Sequence, residues 1–106
     1  MEFLNRVELT GIVGNVEINP VPNGWMVSFS LQTCYTHKDA EGNAFVETTW
    51  HRITAYGDDF KGLKHGVWVN IKGRIRQRKY TVVGGGENVL TDIVAYNWKI
   101  VDDLKN

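Results

Sequence analysis

The chain has 106 residues, 42% hydrophobic and 23% charged, a composition ordinary for one soluble globular domain and too short for two cores. No run approaches the roughly 18 apolar residues of a membrane span, and a lone cysteine, Cys34, excludes a disulfide framework or a zinc cluster. Formal net charge is zero. A polyanion partner must therefore be argued from where the charges fall.

Leu4 to about Ile18 reads as a first strand, with Val7, Leu9, Ile12, Val13, Val16 and Ile18 as its apolar set. Gly11 and Gly14 inside it mark bulges or sharp bends, as a strand curling round a small barrel requires. Pro20-Val21-Pro22-Asn23-Gly24 is a turn, with Asn-Gly supplying positive φ. Trp25 to Cys34 alternates as a second strand, with Val27, Phe29 and Leu31 on one side and Ser28, Ser30 and Gln32 on the other. Tyr35 to Ala44 is a polar loop, and Phe45 to Tyr56 is the third strand.

Asp58-Asp59 caps a short helix through Phe60–His65, ended by Gly66, whose Phe60 and Leu63 would plug one end of a barrel. Val67 to Lys79 is the fourth strand, Thr81 to Asn88 a glycine-rich tip and Val89 to Val101 the fifth. Asp102 to Asn106 is a short polar end, flexible over 103–106. Five strands with one short helix between the third and fourth is the all-β layout of an OB-fold Greek-key barrel, here one domain over 1–106.

Within the third strand, one face carries Thr48, Trp50, Arg52, Thr54 and Tyr56, and the other Thr49, His51, Ile53 and Ala55. The second set suits a packed interior or a subunit contact. The first combines flat rings with a guanidinium over roughly 20 Å, a surface for stacking unpaired bases. The alternative is that this face is itself the core, with Arg52 at its rim. The polar side of the second strand either continues this row or faces water.

From Phe60 to Gly86 the chain has Lys61, Lys64, Lys72, Arg74, Arg76, Arg78 and Lys79 and no acidic residue. With period two, Arg74, Arg76, Arg78 and Tyr80 share a face, opposite Ile75, Gln77 and Lys79. A charged edge that resists aggregation explains the charges but not Tyr80. Guanidinium forks bind phosphate oxygens and stack on bases, so the two rows together point to single-stranded nucleic acid. Duplex is disfavoured, since stacking needs exposed base faces.

No catalytic, metal or cofactor site is expected. The acids are scattered, His37, His51 and His65 lack ligand spacing, and Gly84-Gly85-Gly86 is not followed by the Lys-Ser/Thr of a phosphate-binding loop. Trp68 and Trp98 are core or interface residues. The rival reading is an assembly protein of the primosome type, whose barrel acts through protein contacts and whose aromatics are interface anchors.

Leu4-Asn5-Arg6-Val7 with Gly11 and Gly14, Pro22-Asn23-Gly24, Thr49-Trp50-His51-Arg52-Ile53 with Tyr56-Gly57, Gly73 with Arg76-Gln77-Arg78-Lys79-Tyr80, and Thr91-Asp92 follow one another along nearly the whole chain. In these segments it resembles the bacterial single-stranded DNA-binding protein family. The resemblance implies base stacking by Trp50, Tyr56 and Tyr80. It places Arg6, Arg52, Arg76, Arg78 and Lys79 along the DNA path, to which the basic row adds Lys72 and Arg74. It further implies a homotetramer (a dimer being the alternative), with His51 near a subunit contact, and a role in replication, recombination or repair. The start of the chain lacks a signal-peptide layout, so the expected location is the bacterial cytoplasm and its nucleoid, with no membrane partner.

The chain departs from the family pattern at Thr36-His37, where a tryptophan is frequent, and at Tyr56 and Tyr80, where phenylalanine and tryptophan are. It also shows nothing like the family's acidic-tipped tail after Asn106, as in a trimmed form or a short relative. Tail-mediated recruitment of partners is not expected.

Overall fold

Alternation in the sequence becomes a closed barrel of β1 (Val7–Val21), β2 (Gly24–Lys38), β3 (Ala44–Tyr56), β4 (Trp68–Thr81) and β5 (Glu87–Ile100). The structure, a computed structural model, describes residues 1–101, so the expectation of a flexible 103–106 end lies outside the described residues. Around the barrel the order is β1-β2-β3-β5-β4, with β4 pairing back onto β1. Neighbours are antiparallel except β3 and β5, whose parallel contact runs only from Ile53↔Ile93 to Ala55↔Ala95. This is the expected OB-fold layout.

Every second side chain points inward. Val27, Phe29 and Leu31 of β2, Ile53 and Ala55 of β3, Val69 and Ile71 of β4, and Ile93 and Ala95 of β5 meet Val13 in one core. Full burial of each large aliphatic contributes about 1.5–3 kcal/mol, which fixes the register and sends the even-numbered residues of β3 outward. Phe60 and Leu63 close one end, both buried, with Phe60 against Trp98 at a ring separation of 6.2 Å.

The two glycines of β1 act differently. Gly14 opens a bulge, a register shift between Gly14 and Glu17 with Asn15 in the left-handed region at φ 50°. Gly11 permits close approach, since a Cβ there would fall 2.1 Å from the carbonyl oxygen of Gln32.

Four expectations need correction. The first strand starts at Val7, because Leu4 is exposed and Asn5 substitutes its side chain for a ladder: its Nδ2 donates to Ile75 O (2.6 Å) and its Oδ1 accepts from Ile75 N (2.9 Å). The turn is narrower than the five residues expected, the pair Pro22-Asn23 closed by Val21↔Gly24, while positive φ (137°) falls, as expected, within Asn-Gly, on Gly24. β2 continues through Tyr35 to Lys38, where a loop is predicted; His37 stacks on Tyr35 along the strand and on Phe45 across the hairpin. The helix is a single 3-10 turn, Asp58–Gly62, with no side-chain cap, because Gly57 at φ 122° already turns the chain into it. Among the described residues, no helix is long and apolar enough to cross a membrane.

Candidate nucleic-acid interface

The face of β3 that carries Trp50 is solvent-facing at its ends and wedged at its centre. Trp50 is 61% exposed and Tyr56 47%, Arg52 is exposed, and Thr54 between them is buried. The reading in which this row is the core is thereby excluded. The β2 register places Gln32 opposite Trp50, Ser30 opposite Arg52 and Ser28 opposite Thr54, so the polar side of β2 does continue the row. Trp50 and Arg52 stand on a ridge between two grooves. One is floored by Asn15, Glu17, Ser28 and Ser30; the other opens where β3 and β5 diverge, beside Thr91 and Asp92.

The second row, on β4, also faces outward, with Arg74, Arg78 and Tyr80 exposed and Arg76 half-buried. A cleft beside Tyr80 is lined by Arg78, Lys79 and Leu90. Lys79 is exposed too, although its parity is opposite to that of Tyr80. The two rows do not lie on neighbouring strands: β5 separates β3 from β4. What joins them is Asp92 on β5, a residue to which the sequence reading gives no role.

Asp92 has a fully buried side chain on the outer surface of the sheet. Its Oδ1 accepts from Arg76 Nε (3.0 Å), and its Oδ2 accepts from Arg76 Nη2 (2.7 Å) and Thr54 Oγ1 (2.8 Å). Arg76 Nη1 in turn donates to the Tyr56 hydroxyl at 3.4 Å, and Arg78 Nη2 lies 3.6 Å from Asp92 Oδ2. The Arg76 hydrogen bonds, followed by that of Thr54, hold the Asp92 carboxyl below the usual carboxylate range, and the Arg76 guanidinium is correspondingly held protonated. Each polar partner needed to keep a buried carboxylate charged is present.

Arg6 and Lys72 lie apart from the aromatic row, in a cleft with Glu8 and Tyr96. His51 belongs to the inward set but is half-buried, sharing a hydrogen bond of 2.8 Å with Thr33 Oγ1, and burial pushes its imidazole below the ordinary range. His37, at the position where a tryptophan is frequent, packs against Tyr35 and Phe45 and lies 3.4 Å from Glu47. Trp98 packs on the core, whereas Trp68 is 40% exposed. Among the described residues no group of three or more His, Cys, Asp or Glu is placed to hold a metal.

Residues 4–101 match the model of the single-strand binding protein family. The chain belongs to that family. It is 39% identical over 104 residues to the single-stranded DNA-binding protein of Neisseria meningitidis serogroup A, covering 92% of this chain and 60% of the relative. The chain thus spans about three fifths of the length of such curated relatives. Among solved structures, the single-strand binding protein of Plasmodium falciparum in complex with single-stranded DNA superposes with a TM-score of 0.84 at 25% identity, covering 96% of this chain and 98% of that one. The small single-stranded DNA-binding protein of Streptomyces coelicolor shares the fold, with a TM-score of 0.68 at 21% identity, over 95% of this chain and 96% of that one.

Proposed function

We propose that this chain holds single-stranded DNA without strong sequence preference, stacking bases on Trp50, Tyr56 and Tyr80 while Arg52, Arg74, Arg78 and Lys79 neutralise phosphates. The observation that carries this reading is the pair of outward rows, aromatic rings and exposed cations together on a surface the fold leaves open to solvent. A base presents a π-face whatever its identity, so stacking gives affinity with little sequence discrimination. Among the described residues the one helix is a five-residue 3-10 turn, too short to read a duplex groove. The role is protection of exposed strands during replication, recombination or repair in the bacterial cytoplasm.

Arg6 and Lys72, which share a cleft with Glu8 apart from the aromatic row, add to the positive field that draws the strand in. A homotetramer is the proposed assembly, with the half-buried His51 near a subunit contact. Competition of labelled oligo-dT by unlabelled duplex tests the ligand class: the reading expects little displacement by duplex and fails if duplex competes equally. Sedimentation with and without oligonucleotide tests the assembly, and a monomer under both conditions would refute the tetramer.

A further inference from the structure

The cationic face contains its own anion. Asp92 engages one edge of the Arg76 guanidinium with both its oxygens, takes a third bond from Thr54 and lies within 3.6 Å of Arg78. A phosphate recruiting Arg76 would have to break that two-point pair and strand a fully buried carboxylate, a costly step. Arg76 is also committed elsewhere, since its remaining amino group reaches the hydroxyl of Tyr56 across the width of β5. Arg78, by contrast, keeps 48% of its side chain exposed and makes only the longer contact.

We propose that Asp92 is an internal counterion, a positioning residue that withdraws Arg76 from phosphate binding and makes it a strut for Tyr56. The inference rests on the single-stranded DNA reading above. It follows that fewer counterions are released on binding than the number of arginines on the face. It also follows that the link between the β3 and β4 rows is the Thr54–Asp92–Arg76–Tyr56 chain and not direct strand pairing.

The test is a salt series with oligo-dT for the wild type, D92N, R76M and the D92N/R76M double variant, with folding checked by thermal melting. R76M should weaken binding equally at all salt concentrations, through the loosened Tyr56 ring, and leave the slope of log K against log salt as in the wild type. D92N should steepen that slope by about 0.7, the increment of the one arginine it releases, Arg76, and adding R76M should remove that increment. A flatter slope in R76M, or an unchanged slope in a folded D92N, overturns the proposal by making Arg76 an ordinary phosphate contact or Asp92 a bystander. R76M strands the Asp92 carboxylate; if either single variant does not fold, the slope of the other decides. Failure of the wild type to bind oligo-dT at all would instead refute the function on which the inference rests.

Discussion

Replacing Gly73 by alanine tests whether close approach of β4 to β5 is needed to close the barrel. Gly73 faces inward on β4, at the register shift between β4 and β5, with Val7 of β1 on its other side. A Cβ there would lie 2.2 Å from the carbonyl oxygen of Val94 and 2.9 Å from its carbonyl carbon. Carbon–oxygen contacts in sheets settle near 3.3–3.6 Å, so a strand must move by about 1 Å. Such overpacking costs roughly 1–3 kcal/mol. At about 4–8 °C per kcal/mol for a domain of this size, Gly73→Ala should lower Tm by roughly 4–24 °C. Gly62, in the 3-10 turn, is the control: a Cβ there meets nothing within 4 Å, and Gly62→Ala should melt close to the wild type. Thermal denaturation of both variants decides the matter. Equal melting temperatures for Gly73→Ala and Gly62→Ala would refute the close-approach argument.

Three further outcomes follow from the site. Arg78→Ala should flatten the salt dependence of oligo-dT binding by about 0.7 in slope, because its half-exposed guanidinium is free to meet a phosphate; an unchanged slope would remove it from the path. Burial lowers the folded-state pKa of His51 beneath its unfolded value, so protonation favours the unfolded chain: stability is complete above about pH 6.5 and declines as pH falls below it. Urea midpoints between pH 7 and 5 should show that decline, and His51→Asn should shrink it. The lowered pKa of Asp92 has the same sign in a more acid window: its contribution is present above about pH 3.9 and is lost as pH falls through its folded value. Acid titration followed by circular dichroism should therefore show Asp92→Asn lacking part of the wild type's low-pH loss.

Alternation made most of the barrel legible. Val27, Phe29 and Leu31, or Ile53 and Ala55, can be assigned inward from the chain alone, because period two admits one burial solution per strand. Parity puts Trp50 on the face opposite Ile53 and Ala55, but which face is the core is decided only by the fold, where Trp50 is exposed. Local composition misled at Tyr35–Lys38, where charged and polar residues resemble a loop while the rings of Tyr35, His37 and Phe45 hold two strands together. Asp92 was illegible for a different reason. Its partners Thr54 and Arg76 are 38 and 16 positions away, and they meet only because a three-residue parallel contact inserts β5 between β3 and β4. Read linearly, positions 60 to 86 are free of acid; folded, they receive one from β5. The Thr91-Asp92 pair within the family resemblance was the available signal.

The central claim is that outward rings, foremost Trp50, bind bases. Tryptophan fluorescence during titration with oligo-dT tests it most directly, comparing wild type with Trp50→Ala. The indole is 61% exposed, so its truncation leaves the core intact. The account predicts quenching in the wild type that salt reverses, loss of most of that quenching in Trp50→Ala, and an affinity lower by about 1–3 kcal/mol, or roughly 5- to 150-fold. A folded Trp50→Ala protein that binds oligo-dT as tightly as the wild type would contradict it.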